Sequence, residues 1–343
     1  PQYPTESSNI MSETIHDTTD WILSHTTLDE RHNAYLAGIA YANAGIRPKE
    51  FYWQLSNIRK LYGFLHDEKY VRTTTKPSDN MKTDKATALE FGVTLQSART
   101  QLIDGRWFES CQHRGACTGL CVLKNGNGAY PSTQRARDAK LHMIVDETYA
   151  FILTYAYELQ VALRRQRRSD KPRPIINRPK INDDLRWHEI LPALADDGWG
   201  GSIMSLGYTK DPAIFGVPGG WHGKYFRESY SISEKSNLAD VRRFVLAGGN
   251  ATIVHRGKTG APVPAAAIRT YLGLPDWVPV HDTDKTDETI LIPGAGINAL
   301  TAKGKARKSR SKFVVDLNGR LQSTPVSVRI PSAVYNKQKA ATS

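Results

Sequence analysis

Arg227-Glu-Ser-Tyr-Ser-Ile-Ser-Glu-Lys-Ser-Asn-Leu-Ala-Asp-Val-Arg-Arg-Phe-Val-Leu-Ala-Gly-Gly-Asn-Ala-Thr-Ile-Val-His255 reads as a strand, a helix and a second strand. β-like runs over Arg227–Ile232 and Ala251–His255 flank a helical segment over Leu238–Ala247. The alternation extends outward, with strands predicted at Arg173–Ile181, Gly201–Tyr208 and, interrupted by glycine, Thr289–Leu300. Helical or loop segments at Leu185–Ala195 and Ala265–Leu272 lie between them. Consecutive strands separated by helical connections pair in parallel, because a crossover returns the chain to the same end of the sheet. The pattern predicts an α/β fold with a mainly parallel sheet, open or closed into a complete or partial (β/α) barrel. Such folds bind ligands beyond the C-terminal ends of their strands. Those ends are polar here: Asn182-Asp183-Asp184, Tyr208-Thr209-Lys210, Ser231 with Ser233 and Glu234, His255-Arg256, and Lys303.

Upstream, Ser12 to about Asp67 shows helical spacing, with Trp21, Ile22, Leu28, Tyr35, Leu36 and Ile39 recurring at intervals of three and four. Its third segment, Phe51–Leu65, carries Arg59 and Lys60 and could belong to a DNA-binding helix-turn-helix, although helices packed on the main domain explain it more simply. Residues 1–80 are read as a tail and helical module, with Pro1–Ile10 as a tag or leader; 81–302 as the α/β domain; and 303–343 as a basic extension. The polar run Val71–Lys85 is the connector. Arg135–Gln166 is predicted to be one long helix.

All three cysteines lie within eleven positions, Cys111-Gln-His-Arg-Gly-Ala-Cys117-Thr-Gly-Leu-Cys121. An odd, clustered set in a polar, glycine-bearing loop is not a secreted disulfide framework, and a reducing cytoplasm suits it. Structural zinc sites usually present two separated ligand pairs, and a Cys3His set completed by His113 is cramped. Three thiolates from one wrapping loop suit an iron–sulfur cluster, read as 4Fe-4S with a fourth iron left to another ligand; zinc is the alternative. A three-cysteine loop in a barrel-like α/β chain resembles radical S-adenosylmethionine enzymes. That resemblance implies that the open iron binds the cofactor, although the spacings x5 and x3 depart from that family's x3 and x2.

A wider series runs over residues 105–310: Arg178-Pro-Lys-Ile-Asn-Asp-Asp-Leu-Arg-Trp187, Gly207-Tyr-Thr-Lys210, Ser229-Tyr-Ser-Ile-Ser-Glu234, His281-Asp-Thr-Asp-Lys-Thr-Asp287 and Leu300-Thr-Ala-Lys-Gly-Lys305. In order and spacing it resembles a poorly characterised family of bacteriophage-encoded proteins. The resemblance implies phage origin, and with it the cytoplasm of a bacterial host, but brings no reaction. From residue chemistry, Lys210, Glu234 and Asp184 are the catalytic candidates, with Lys210 able to hold a carboxylate or phosphate and Glu234 to act as a base. Ser231, Ser233 and Asn182 are cofactor-binding candidates, and Cys111, Cys117 and Cys121 the metal ligands. Asp184 could instead cap a helix with Trp187 packing, and the Asp282-Thr-Asp284-Lys-Thr-Asp287 segment is either a divalent-cation loop or a solvated turn.

The net charge is +12. Cationic runs at Arg164, Arg165, Arg167 and Arg168, and at Lys305, Arg307, Lys308 and Arg310, point to DNA or RNA as substrate or partner. The first run also sits where a helix C-terminus favours cations. No apolar run spans a bilayer, and neither Walker loop nor serine nucleophile elbow is present. The function expected is therefore an iron–sulfur enzyme of radical S-adenosylmethionine-like type modifying nucleic acid or nucleotide. The alternative is a nucleic-acid-binding replication or regulatory protein with a structural cluster or zinc.

Overall fold

The computed structural model describes residues 14–46, 73–75, 88–96, 98–121, 126–258 and 260–317. The readings placed on Pro1–Ile10 and Phe51–Leu65, and most of the Val71–Lys85 connector, lie outside the described residues.

The strands are β1 (Ile15–Asp17), β2 (Thr74–Thr75), β3 (Leu89–Val93), β4 (Arg99–Gln101), β5 (Trp107–Glu109), β6 (Ile175–Lys180), β7 (Ile203–Thr209), β8 (Phe226–Ser231), β9 (Asn250–His255), β10 (Val280–Asp282) and β11 (Gly296–Thr301). The longer helices are α1 (Thr18–His25), α2 (Leu28–Ala44), α3 (Pro131–Asp146), α4 (Thr148–Arg167), α5 (Leu238–Leu246) and α6 (Ala265–Leu272). The main sheet has the order β10-β11-β9-β8-β7-β6-β3-β2, parallel throughout except for β2. Its seven parallel strands curl into a half-barrel, so the partial form of the expected barrel is the one adopted. A small sheet, β1-β5-β4, carries the chain towards the cysteine loop.

Helices cover the outer face. Phe151, Tyr155 and Leu159 of α4 pack with Ile175, Ile203 and Phe226 of the strands. Val241, Phe244 and Val245 of α5, with Ile268 and Leu272 of α6, pack on Tyr230, Ala251, Ile253, Ile297 and Ala299. Burial of apolar surface is worth about 25 cal/mol per Å2, so both clusters favour folding. The N-terminal helices join the first of them through Ile22, Ala34 and Tyr35. A capping box between Thr27 and Glu30 starts α2, and Gly45, at φ 74°, ends it in the left-handed conformation that glycine tolerates.

The inner face is polar. Arg178 reaches Asp287 at 2.7 Å and Glu90 at 3.3 Å, and Tyr208 donates to Asp287. Ser229, Asn250, Thr252 and Asn298 form a second buried network. Arg227, fully buried, donates to the carbonyls of Gly219, Ile290, Gly248 and Gly294 at 2.9–3.1 Å, fastening several loops at once. Buried groups of this kind must be paired or they oppose folding.

Several predicted boundaries change. The single long helix is two, broken at Glu147 (φ −128°, ψ 45°). The predicted strand Thr289–Leu300 divides into a short turn at Glu288–Leu291 and β11, because Arg227 ties Ile290 to the sheet interior. Leu185–Ala195 forms two short helical turns, Trp187–Ile190 and Ala193–Asp196. Among the described residues no helix is long and apolar enough to cross a membrane.

Candidate functional site at the strand C-termini

The cysteine loop lies across the C-terminal ends of β6, β7 and β8. Segments that follow those strands clamp it: the Asp184 N–H donates to Ser110 O at 2.7 Å, the Ala116 N–H to Glu234 Oε1 at 2.6 Å, and Lys235 Nζ to Arg114 O at 2.8 Å. Gly115 permits this approach, since a Cβ there would lie 2.0 Å from Glu234 Oε1. From the far side, Ser311 Oγ donates to Ala116 O at 3.4 Å.

Lys210, at the end of β7, is the electrostatic centre. Burial opposes its charge, but Cys117, Cys111, Asp184 and Cys121 around it raise its pKa. Burial pushes the Cys111 thiol up to about 12, with Lys210 acting the other way. A thiol that burial keeps protonated is a weak free nucleophile. Among the described residues, the ligand-type groups whose donor atoms all lie within 4.8 Å of one another are His188, His222 and Glu228, and Asp104, His142 and Asp146.

Four buried polar atoms beside these strand ends have no hydrogen-bond partner: Asn182 Oδ1, Asp184 Oδ2, Glu234 Oε2 and His255 Nε2. Each of these residues has another atom that is held. Asn182 Nδ2 donates to Leu95 O at 2.5 Å, and Asp184 Oδ1 accepts from Thr209 Oγ1 at 2.8 Å and the Lys210 N–H at 3.3 Å. Buried Ser231 ends β8, whereas Ser233 accepts the Lys235 N–H at 3.3 Å and so shapes the turn. The structure thus gathers Cys111, Cys117, Cys121, Asp184 and Lys210 around one mouth, with Asn182, Ser231 and Glu234 at strand ends opening onto it. His113 stands 3.6 Å from Asp211.

Two alternatives weighed from sequence resolve structurally. Trp187 packs in the core beside Phe151 and Tyr155, but Asp184 binds Thr209 and Lys210 and does not cap the turn at Trp187. In the acidic segment, Asp287 holds Arg178, Asp284 holds Lys303 at 2.9 Å, and Lys285 lies 3.3 Å from Asp282, so its carboxylates have cationic side chains as partners.

The cationic runs lie at opposite ends of the sheet. Arg164 donates to Ala42 O and Arg167 to Ser202 Oγ just before β7, which places Arg164, Arg165, Arg167 and Arg168 at the strand N-termini, away from the cysteines. Lys305, Arg307, Lys308 and Arg310 follow β11 at the C-terminal end and are exposed. Their segment is held by Arg256, which donates to Arg307 O and Ser309 O, and by the parallel bridge of Val315 to His255. Phe313 comes within 5.7 Å of Lys210 Nζ. The remaining basic positions, Arg320, Arg329 and Lys337, lie outside the described residues.

Sequence reading missed a row of charge beneath the mouth. Lys180, fully buried in β6, places Nζ 2.7 Å from Glu228 and 3.5 Å from Asp184. Although burial would raise it, Lys180 and His222 hold the Glu228 carboxyl down to about 2. The only sign in the sequence was charge inside predicted strands.

Asp183, one residue before Asp184, gives a pH test. Burial pushes its carboxyl up to about 7, against Lys180, the Leu185 N–H and the Trp187 indole, which favour the anion. The unfolded value is about 4, so between about pH 4 and 7 the folded chain binds the extra proton. Stability attached to this group is full below that window and is lost as pH rises through it. Asp183→Asn is expected to flatten the slope, measured by urea unfolding across the window; the wild-type slope persisting in the variant would contradict the assignment.

A parallel α/β half-barrel with a three-thiol loop over its strand C-termini defines the class of protein. The chain matches the family model described as Gene product 88 over residues 68–317, and it belongs to that family. This fits the poorly characterised phage family that the motif series resembles. No curated protein and no solved structure matches it significantly.

Proposed function

We propose that this Gene product 88 protein is an iron–sulfur enzyme of radical S-adenosylmethionine-like type that modifies a nucleic acid or nucleotide. The observation that carries the reading is the meeting of three thiols with the Lys210 ammonium at the mouth of a parallel half-barrel. Cys111, Cys117 and Cys121 would hold the cluster. A single tetrahedral zinc would draw its sulfurs to about 3.8 Å apart, given Zn–S bonds of about 2.3 Å. A cluster would instead distribute the three thiolates over separate irons.

Bound there, the cluster would supply the electron that reductively cleaves S-adenosylmethionine. The chain's own groups do the positioning. Lys210 offers a half-buried cation for the cofactor's carboxylate. Asp184 Oδ2, Asn182 Oδ1 and Glu234 Oε2 offer acceptors for its amino and hydroxyl groups, which would satisfy atoms otherwise left without a partner. Ser231, at the end of β8, adds a hydroxyl to the same rim. The exposed Lys305, Arg307, Lys308 and Arg310 beyond β11 lie on the same end of the sheet, where they suit a phosphate-bearing substrate.

Electron paramagnetic resonance of the anaerobically reduced protein, with and without S-adenosylmethionine, tests the reading. The expected result is a cluster signal that changes when the cofactor is added, and whose change is lost in Lys210→Ala. A signal indifferent to the cofactor would remove the enzymatic reading and leave a structural cluster.

A further inference from the structure

We infer that His188, His222 and Glu228 form a second metal site, independent of the cysteines, for a divalent ion of the zinc class. The ligand-type atoms of the three residues all lie within 4.8 Å of one another. They come from three parts of the chain that the fold brings together: the turn Trp187–Ile190 after β6, the loop before β8, and β8 itself. Two imidazoles and one carboxylate are a donor set for zinc with an open fourth position.

Two further observations point to an ion. His188 Nδ1 is buried without a hydrogen-bond partner. Finally, Lys180 and Lys210 both act on the buried Asp184, while Glu228, buried beside Lys180, reaches the pocket as an anionic oxygen donor for a cation.

The supporting groups are in place. Lys180 holds Glu228 Oε1 at 2.7 Å, leaving Oε2, which now meets His222 Nε2 at 2.8 Å, as the ligand oxygen. A carboxylate fixed by a second charged group keeps its orientation when a metal binds. Glu189 Oε1 lies 3.6 Å from His188 Nε2 and can orient that ring in the same way. An ion here would join the turn after β6 to the loop entering β8 and so brace the connection that carries Asp184.

The test uses the full chain, treated with a chelator and then titrated with Zn2+ alone, and separately with Co2+ for its visible spectrum. One equivalent of Zn2+ is expected to bind, and Co2+ to give bands of nitrogen and oxygen ligation. His188→Asn, at a half-exposed position, and His222→Asn should each weaken Zn2+ binding by about tenfold or more. Iron content and the cluster signal should be unchanged in both variants. Zn2+ binding equal to wild type in both variants, or no binding by the wild-type chain, would overturn the site. A Cys111→Ser/Cys117→Ser/Cys121→Ser chain that still binds the equivalent separates this result from any failure of the cluster reading.

Discussion

Lys180→Met is expected to destabilise the protein by about 3–5 kcal/mol, the usual cost of removing one partner from a buried ion pair. The ammonium is fully buried and stands between Glu228 at 2.7 Å and Asp184 at 3.5 Å. Methionine fills similar volume, so the loss is electrostatic: two carboxylates remain in a site that water does not reach. Glu228 then loses the main charge that holds its carboxyl down to about 2 against burial, and must take up a proton or force the strands apart. Adding Glu228→Gln should recover part of the loss, because the second substitution removes a charge that the first left unpaired. Urea unfolding of the two variants checks this. A loss below about 1 kcal/mol for Lys180→Met would mean that the pair is hydrated, and that it does not organise the sheet beneath the mouth.

Cys117→Ser should have the largest effect on composition. Cys117 is the thiol that acts most strongly on Lys210, and it lies between Cys111 and Cys121 in a loop fastened by Glu234 and Lys235. Serine keeps the volume but is a poor ligand for iron, so bound iron is expected to fall from about four to below one per chain. The fold should survive, since all three cysteines are only half-buried and belong to neither apolar cluster. Iron measured against protein, with circular dichroism as the control for folding, reads the effect. Full iron retention in a folded variant would exclude Cys117 as a ligand.

The alternation of strands and helices from Arg173 to Thr301 was legible because each helix carries an apolar face that must meet the sheet. The site was legible where residue type and position coincided: three cysteines in one loop, and polar residues where strands end. Lateral pairing was not legible. Lys180, Gly207 and Glu228 come together through register, with Lys180 opposite Gly207 and Gly207 opposite Glu228, and nothing within any one of those strands specifies its partner. Glu234 was read as a base, yet one of its oxygens holds the cysteine loop through Ala116, a contact spanning 118 residues. The arginines ending α4 share with the later basic run the charge that suits a nucleic acid, but the direction of the helix sends them to the other end of the sheet.

The central claim is that Cys111, Cys117 and Cys121 hold a 4Fe-4S cluster facing Lys210. The most direct measurement is iron and acid-labile sulfide, per chain, in anaerobically purified wild-type protein and in the triple serine variant. About four of each in the wild type, and almost none in the variant, is the predicted result. Zinc without iron in the wild type, or iron that persists when all three thiols are gone, would contradict it.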